Sequence, residues 1–131
     1  MRYNPNLTWC EPLADGHAGT LRTLQVMAWL ARKDSLDQRT GDTLQQLLAA
    51  APRSQIVEPL FLFARDGIRY LPDPQNLEKV SDFFHTTASK EGDCDDKVVW
   101  LATALLCLGV PVRFVVQSSD VSSWDHVCLE F

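Results

Sequence analysis

Apolar residues recur at helical spacing through most of this chain, and a β-type pattern appears only near its end. Residues 1–17 contain several proline and glycine breakers and predict an irregular segment. Apolar positions spaced three and four apart then predict helices over residues 20–33, 42–52 and 54–67. After a short extended piece and a Pro-Asp-Pro turn, a further short helix is predicted over residues 76–85.

The longest apolar helix is predicted over residues 94–108, where Gly109 and Pro111 stop it. Two β-branched and aromatic segments follow, over residues 110–117 and 124–131, and they predict the two strands of a small sheet. The fold class is therefore α+β, with a helical part first and strands last. The helix's wide apolar face is predicted from Val98, Leu101, Ala102, Leu105 and Leu106.

The last strand has two different faces. Trp124, His126 and Cys128 alternate with Val127 and Leu129, so these two sets point to opposite sides. The set that contains Val127 is predicted to face the core. His126 then lies on the face that is able to meet the start of the 94–108 helix.

Composition and charge exclude several classes of function. The 131 residues fit one domain, predicted over 1–131, and 46% apolar with 22% charged residues is ordinary for a globular protein. The net charge of −5 and the scattered basic residues predict no nucleic-acid partner. No apolar run is long enough for a membrane span or a signal peptide, so no membrane partner and a cytoplasmic location are predicted.

The four cysteines indicate reduced thiols rather than disulfides or zinc ligands. Cys10, Cys94, Cys107 and Cys128 lack the dense spacing of a disulfide framework and form no Cys-x-x-Cys pair. The three histidines lie far apart in the sequence. We therefore predict no metal and no cofactor.

Candidate chemistry concentrates in the segment 92–97, where Cys94 opens the apolar helix. Backbone N–H groups and the helix dipole at such a position favour a thiolate. Asp93 is a natural N-cap and Asp96 can complete a capping box, so these two aspartates support the helix start. The same carboxylates raise the pKa of the thiol and oppose the dipole. Cys94 is thus either an activated nucleophile or a small buried residue.

His126 is the candidate partner of Cys94. A cysteine at a helix start and a histidine on a following strand form a nucleophile and a base; the alternative is a half-exposed strand histidine without a role. Cys107 lies thirteen residues after Cys94 and rotates away around the helix, which favours a core position. Cys128 shares the face of His126 and is predicted to lie near the site.

These residues resemble a known family. The block Gly92-Asp93-Cys94-Asp95-Asp96-Lys97, the aliphatic helix that follows it and the segment Asp125-His126-Val127 resemble the transglutaminase-like superfamily of papain-like fold. The upstream segments 18–21 and 68–74 are similar to a bacterial and prophage branch of transglutaminase-like cysteine peptidases.

The resemblance implies a papain-like core with the nucleophile at a helix N-terminus. It implies that Cys94 attacks an amide carbon to form a thioester, and that His126 activates the thiol and protonates the leaving group. The backbone N–H of Cys94 then contributes to an oxyanion hole. Peptide or protein is the implied substrate, and hydrolysis is favoured over cross-linking.

One element of the family pattern is missing. The aspartate that orients the histidine usually follows it by a dozen or more residues, whereas this chain stops at Phe131. Asp125 and Glu130 are poor substitutes, because one is predicted on the opposite strand face and the other four residues away. The explanations are a truncated chain, a Cys–His dyad whose acid comes from elsewhere, or an inactive binding or assembly module, associated with a phage particle or an operon-linked complex. An unpaired last strand invites self-association or a partner through the C-terminal edge.

Overall fold

The structure is a computed structural model. The chain combines helices with small sheets, which confirms the α+β fold class. No helix in the described part of the chain is long and apolar enough to cross a membrane. The structure describes residues 2–3, 8–12, 16–73, 77–117 and 126–131.

The first helix is longer than the sequence predicts, and the second begins and ends earlier, so the two lie closer together along the chain. Helix α1 spans Gly16–Ser35 and α2 spans Gln38–Leu47. The residues between the predicted helices 20–33 and 42–52 are therefore mostly helical. Asp37 caps α2 by accepting the N–H of Arg39, so the prediction that α2 begins at Asp42 was wrong.

The third predicted helix is divided into three short pieces. A 3₁₀ turn spans Arg53–Gln55, α3 spans Val57–Leu62, and a π-helical turn follows at Phe63–Gly67. Pro59 lies in the first turn of α3, where its missing N–H has no intrahelical partner to lose. The π turn widens the end of this segment and places Arg65 beside α3's Phe61.

The prediction of a helix over residues 76–85 was wrong. Strand β4 occupies Leu77–Ser81, and a helix, α4, begins only at Phe83 and ends at Ser89. Asp82 starts this helix by accepting the N–H of His85. β4 is a strand because it pairs antiparallel with a segment far away in sequence, which local periodicity does not reveal.

The N-terminal segment predicted to be irregular contributes two strands. β1 (Arg2–Tyr3) pairs with β2 (Thr8–Pro12), and β2 pairs with β4 in one antiparallel sheet. A second pair, β3 (Arg69–Tyr70) with β5 (Glu91–Gly92), is parallel. This pair leads the chain directly into the central helix.

The central helix, α5, spans Cys94–Cys107. The sequence predicted one wide apolar face, but α5 is buried on all sides along its middle because helices or strands pack on both flanks. On one flank Trp100 stacks on Phe83 with ring centroids 5.4 Å apart, and its indole N–H donates to the hydroxyl of Thr87 at 2.9 Å. The opposite flank packs against α1 and includes Val99.

Two antiparallel strands complete the described chain. β6 spans Arg113–Gln117 and β7 spans His126–Glu130, with Gln117 opposite His126 and Arg113 opposite Glu130. Val127 is buried in the cluster that also contacts Cys94, which confirms its predicted core-facing side. The start of the predicted 124–131 strand lies outside the described residues.

Candidate active site

The cysteine predicted as a nucleophile is the first residue of α5. Asp93 precedes it as N-cap: its side chain accepts the N–H of Asp96 at 3.2 Å, and Asp96 accepts the N–H of Asp93 at 3.1 Å. This is the predicted capping box. Neither capping bond uses the backbone N–H of Cys94, so the cap fixes the helix start without engaging that group.

The Cys94 thiol lies half-buried between an acidic side chain and the last strand. It donates to Asp95 Oδ1 at 3.7 Å, and the backbone N–H of Val127 faces the sulfur. Burial and the charge of Asp95 raise the pKa of the thiol to about 11, although the Val127 N–H acts in the opposite direction. The thiol is therefore neutral at physiological pH, because burial first and the charge of Asp95 second outweigh the Val127 N–H.

A third carboxylate, which sequence reasoning did not select, joins the cap. Asp73 lies within hydrogen-bonding reach of Asp93 and accepts the backbone N–H of Lys79 at 3.1 Å. Asp96 accepts the N–H of Ser81 at 2.7 Å. Burial, followed by the charge of Asp93, raises the pKa of Asp73 to about 7. The group thus ties the segment after β3, the strand β4 and the start of α5 together.

The three carboxylates could also hold a hard cation. Oxygens of Asp73, Asp93 and Asp96 lie within 4.8 Å of one another, and such oxygens are the ligands that Ca²⁺ and Mg²⁺ prefer. These oxygens already accept hydrogen bonds from backbone N–H groups, and Asp73 and Asp93 are hydrogen-bonded to each other. Burial raises the pKa of all three carboxyl groups, which favours their protonated forms. We therefore treat the cluster as a protonated structural junction.

The start of β7 brings the predicted base to the same cleft as the thiol. His126 is exposed and lines a cleft of about 330 Å³ that Cys94 also lines. Cys128 lies in this cleft too, as its strand face predicted, and remains a free thiol. Cys107 packs beside the core cluster instead.

The walls of the cleft come from three elements. α5 contributes a stripe at helical spacing that begins at Cys94, and the segment from α3 into the π turn contributes a second stripe. β7 and Phe131 form the third wall. The described lining residues are Phe61, Ala64, Arg65, Cys94, Lys97, Val98, Leu101, His126, Val127, Cys128, Leu129 and Phe131.

Two further residues near the thiol were not selected from sequence. Tyr70 of β3 stands opposite Gly92 in the parallel pair, is 61% exposed, and its pKa is raised by partial desolvation and then by the nearby Cys94 and Asp93. Gly92 packs so closely that a Cβ there would lie 2.5 Å from Asp96 Cβ. The position of Tyr70 follows only from the parallel pairing of β3 with β5, which the sequence does not show. The glycine two residues before Cys94 is visible in the sequence and could have been selected.

The acid that would orient His126 is not supplied by Glu130. Its carboxylate forms an ion pair with Arg113 across the β6–β7 pair, and Arg113 Nε donates to it at 2.9 Å. Asp125 lies outside the described residues.

Comparison with known proteins agrees with the geometry at the level of the family. A profile of the transglutaminase-like superfamily matches residues 42–131, which is well over half of the chain and includes α5 and β7. No curated protein and no solved structure matches the chain significantly. Members of this superfamily generally carry out cysteine-based acyl transfer or hydrolysis. The chain belongs to the transglutaminase-like superfamily.

Proposed function

We propose that the protein is a cysteine-nucleophile hydrolase that cleaves an amide bond of a peptide or protein. The observation that carries the proposal is the shared cleft, since the thiol at the start of α5 and the imidazole at the start of β7 both line it. The superfamily's cysteine-based chemistry supports the same reaction class.

The reaction proceeds through a thioester. His126 takes the proton of Cys94 while the sulfur attacks the amide carbon, and the same proton is then given to the leaving amine. The backbone N–H of Cys94 stabilises the oxyanion that forms on the carbonyl oxygen. A water molecule, deprotonated by His126, attacks the thioester and releases the acid with the free thiol.

Local electrostatics explain why a base is needed. A thiol whose pKa is about 11 carries almost no thiolate at neutral pH, so attack requires proton removal as the substrate binds. In the proposed reaction His126 is that base, since it is exposed in the same cleft as the thiol. The thiol of Cys94 therefore loses its proton during the reaction and is not a thiolate in the free enzyme.

Site-specific alkylation tests the proposal. A peptidyl acyloxymethyl ketone should modify Cys94 much faster than Cys107 or Cys128, because the proposed reaction pairs only Cys94 with His126. His126→Gln should slow this reaction by about 100-fold or more. His85→Gln removes a half-buried imidazole outside the cleft and should leave the rate unchanged.

The binding-module alternative predicts a different pattern. Equal and slow modification of Cys94, Cys107 and Cys128, without dependence on His126, would contradict the hydrolase. Mass spectrometry of each cysteine peptide separates the two results.

A further inference from the structure

The cleft beside Cys94 has a chemistry that restricts its substrate. Resting on the proposed hydrolase function, we infer that the acyl side of the substrate carries a large apolar side chain next to the reacting carbonyl and a carboxylate that contacts Lys97. The protein therefore selects acidic–apolar peptide segments.

The position of the cleft indicates that it binds the side chain of the substrate residue whose carbonyl reacts with Cys94. On α5, Val98 is one turn and Leu101 about two turns after Cys94, so they lie roughly 6 and 10 Å along the axis from it. Only the shorter distance, that to Val98, is within the reach of one large apolar side chain from a carbonyl at the sulfur. A group attached to the reacting acyl residue therefore extends over this stripe as far as Val98.

The lining is apolar on the opposite walls as well. Phe61 is 45% exposed and Phe131 is 60% exposed, although both are large apolar side chains at the cleft. Leu129 lines the third wall and is half-buried. A volume of about 330 Å³ accommodates a large side chain with part of its backbone, whereas a charged group is favoured only where Lys97 can pair with it.

The cleft carries a positive charge at Lys97, whereas the start of α5 carries aspartates. Lys97 lines the cleft, and its ammonium donates to the backbone carbonyl of Arg65 at 3.0 Å. Arg65 pairs with Asp66 at 2.7 Å, so its charge is largely compensated. Among the described residues, no carboxylate lies within ion-pair distance of Lys97.

The other side of Cys94 carries Asp95 and the buried Asp93. A substrate carboxylate is thus attracted toward the Lys97 side and repelled by the charge of Asp95. In a chain of net charge −5, this local cation orients an acidic peptide in one direction across the thiol.

Matched electrophiles test the inference on the full chain. Peptidyl acyloxymethyl ketones that differ only in the residue next to the ketone should modify Cys94 about 10- to 100-fold faster with phenylalanine or leucine than with alanine. A neighbouring glutamate should add several-fold over lysine. Iodoacetamide, which has no side chain to bind, measures the accessibility of the thiol.

Two cleft variants separate binding from reactivity. Val98→Phe fills the stripe and should reduce the apolar preference to about 3-fold or less, with iodoacetamide alkylation retained. If Val98→Phe does not fold, Phe61→Ala is the second variant. It changes a more exposed position and should weaken the same preference. Leu108→Phe, outside the cleft, should keep it. Lys97→Gln should remove the glutamate advantage, whereas Lys90→Gln should not.

The outcomes distinguish the two proposals. Rapid, His126-dependent modification without side-chain preference would overturn the cleft assignment and leave the hydrolase standing. Modification that is no faster than iodoacetamide alkylation and independent of His126 would overturn both.

Discussion

At the scale of single residues, the environment of Cys94 opposes the reactivity that its position suggests. The helix dipole and the Val127 N–H favour the thiolate, but burial and Asp95 outweigh them and raise the pKa of the thiol to about 11. This balance protects the nucleophile from indiscriminate oxidation and alkylation, which require thiolate. It also makes His126 indispensable in the proposed reaction.

Removing the charge of Asp95 should shift that balance. Asp95→Asn eliminates the nearest carboxylate, at 3.7 Å from the sulfur, so the pKa of Cys94 should fall by up to about one unit. Iodoacetamide alkylation measured from pH 7 to 11 should show a lower midpoint and a rate at neutral pH several-fold higher.

The control is Asp42→Asn, an exposed aspartate on α2. It removes the same charge far from the thiol and should leave the alkylation profile unchanged. An unchanged midpoint in Asp95→Asn would show that burial alone sets the pKa of Cys94.

At the scale of elements, the start of α5 is positioned by a close contact before it. Gly92 ends β5, and its lack of a side chain allows Asp96 to close the capping box from the next turn. The two-residue parallel pair with β3 holds this segment, with Leu71 N–H donating to the Gly92 carbonyl at 2.9 Å. The orientation of Cys94 therefore depends on the absence of a side chain at Gly92.

Adding one methyl group at this position should be costly. In Gly92→Ala the new Cβ lies 2.5 Å from Asp96 Cβ, so the cap must move. We expect the free energy of unfolding to fall by about 1–3 kcal/mol in urea denaturation. The rate at which a peptidyl electrophile modifies Cys94 should fall as well.

Gly41→Ala is the matched control. Gly41 lies inside α2 with nothing within 4 Å of its added Cβ, so alanine there should stabilise the protein by about 0.5–1 kcal/mol. If Gly92→Ala were equally stable, the contact with Asp96 would not position the helix start.

At the scale of the whole molecule, the three carboxylates connect segments that are distant in sequence. Asp73 follows β3, Asp93 caps α5, and Asp96 accepts the N–H of Ser81 in β4. Burial raises the pKa of each, so the folded protein holds protons that the unfolded chain releases. Global stability should therefore depend on pH through this junction.

The direction of that dependence follows from linkage. The pKa of Asp73 is about 7 in the folded state against an ordinary value of 3.8, so its contribution is fully present below pH 3.8 and is lost as the pH rises through 7. Between about pH 4 and 7 the free energy of unfolding should fall, by less than ~1.4 kcal/mol per pH unit for one proton since Asp73 is only half-buried.

Asp73→Asn should flatten this slope. The amide oxygen can still accept the Lys79 N–H, and the amide N–H₂ can donate permanently to Asp93. Urea denaturation at several pH values measures the effect, with Asp42→Asn as the control. A wild-type slope that survives in Asp73→Asn would assign the pH dependence to other groups.

The sequence by itself determined the parts of the site that depend on local physics. A glycine, a capping aspartate and a long apolar run are sufficient to predict a helix that begins at Cys94, because caps and periodicity act within one or two turns. The core-facing side of β7 was predicted for the same reason, since alternation along the strand places Val127 in the core.

Only the tertiary structure decided the features that depend on contacts between segments distant in sequence. Residues 77–81 read as helical, but the antiparallel pairing of β4 with β2 makes them a strand. The proximity of Asp73 to the cap and of Phe61 to Cys94 likewise results from how elements pack, which no short spacing encodes. Burial sets the pKa of the thiol in the same way, because desolvation depends on the neighbours that folding brings together.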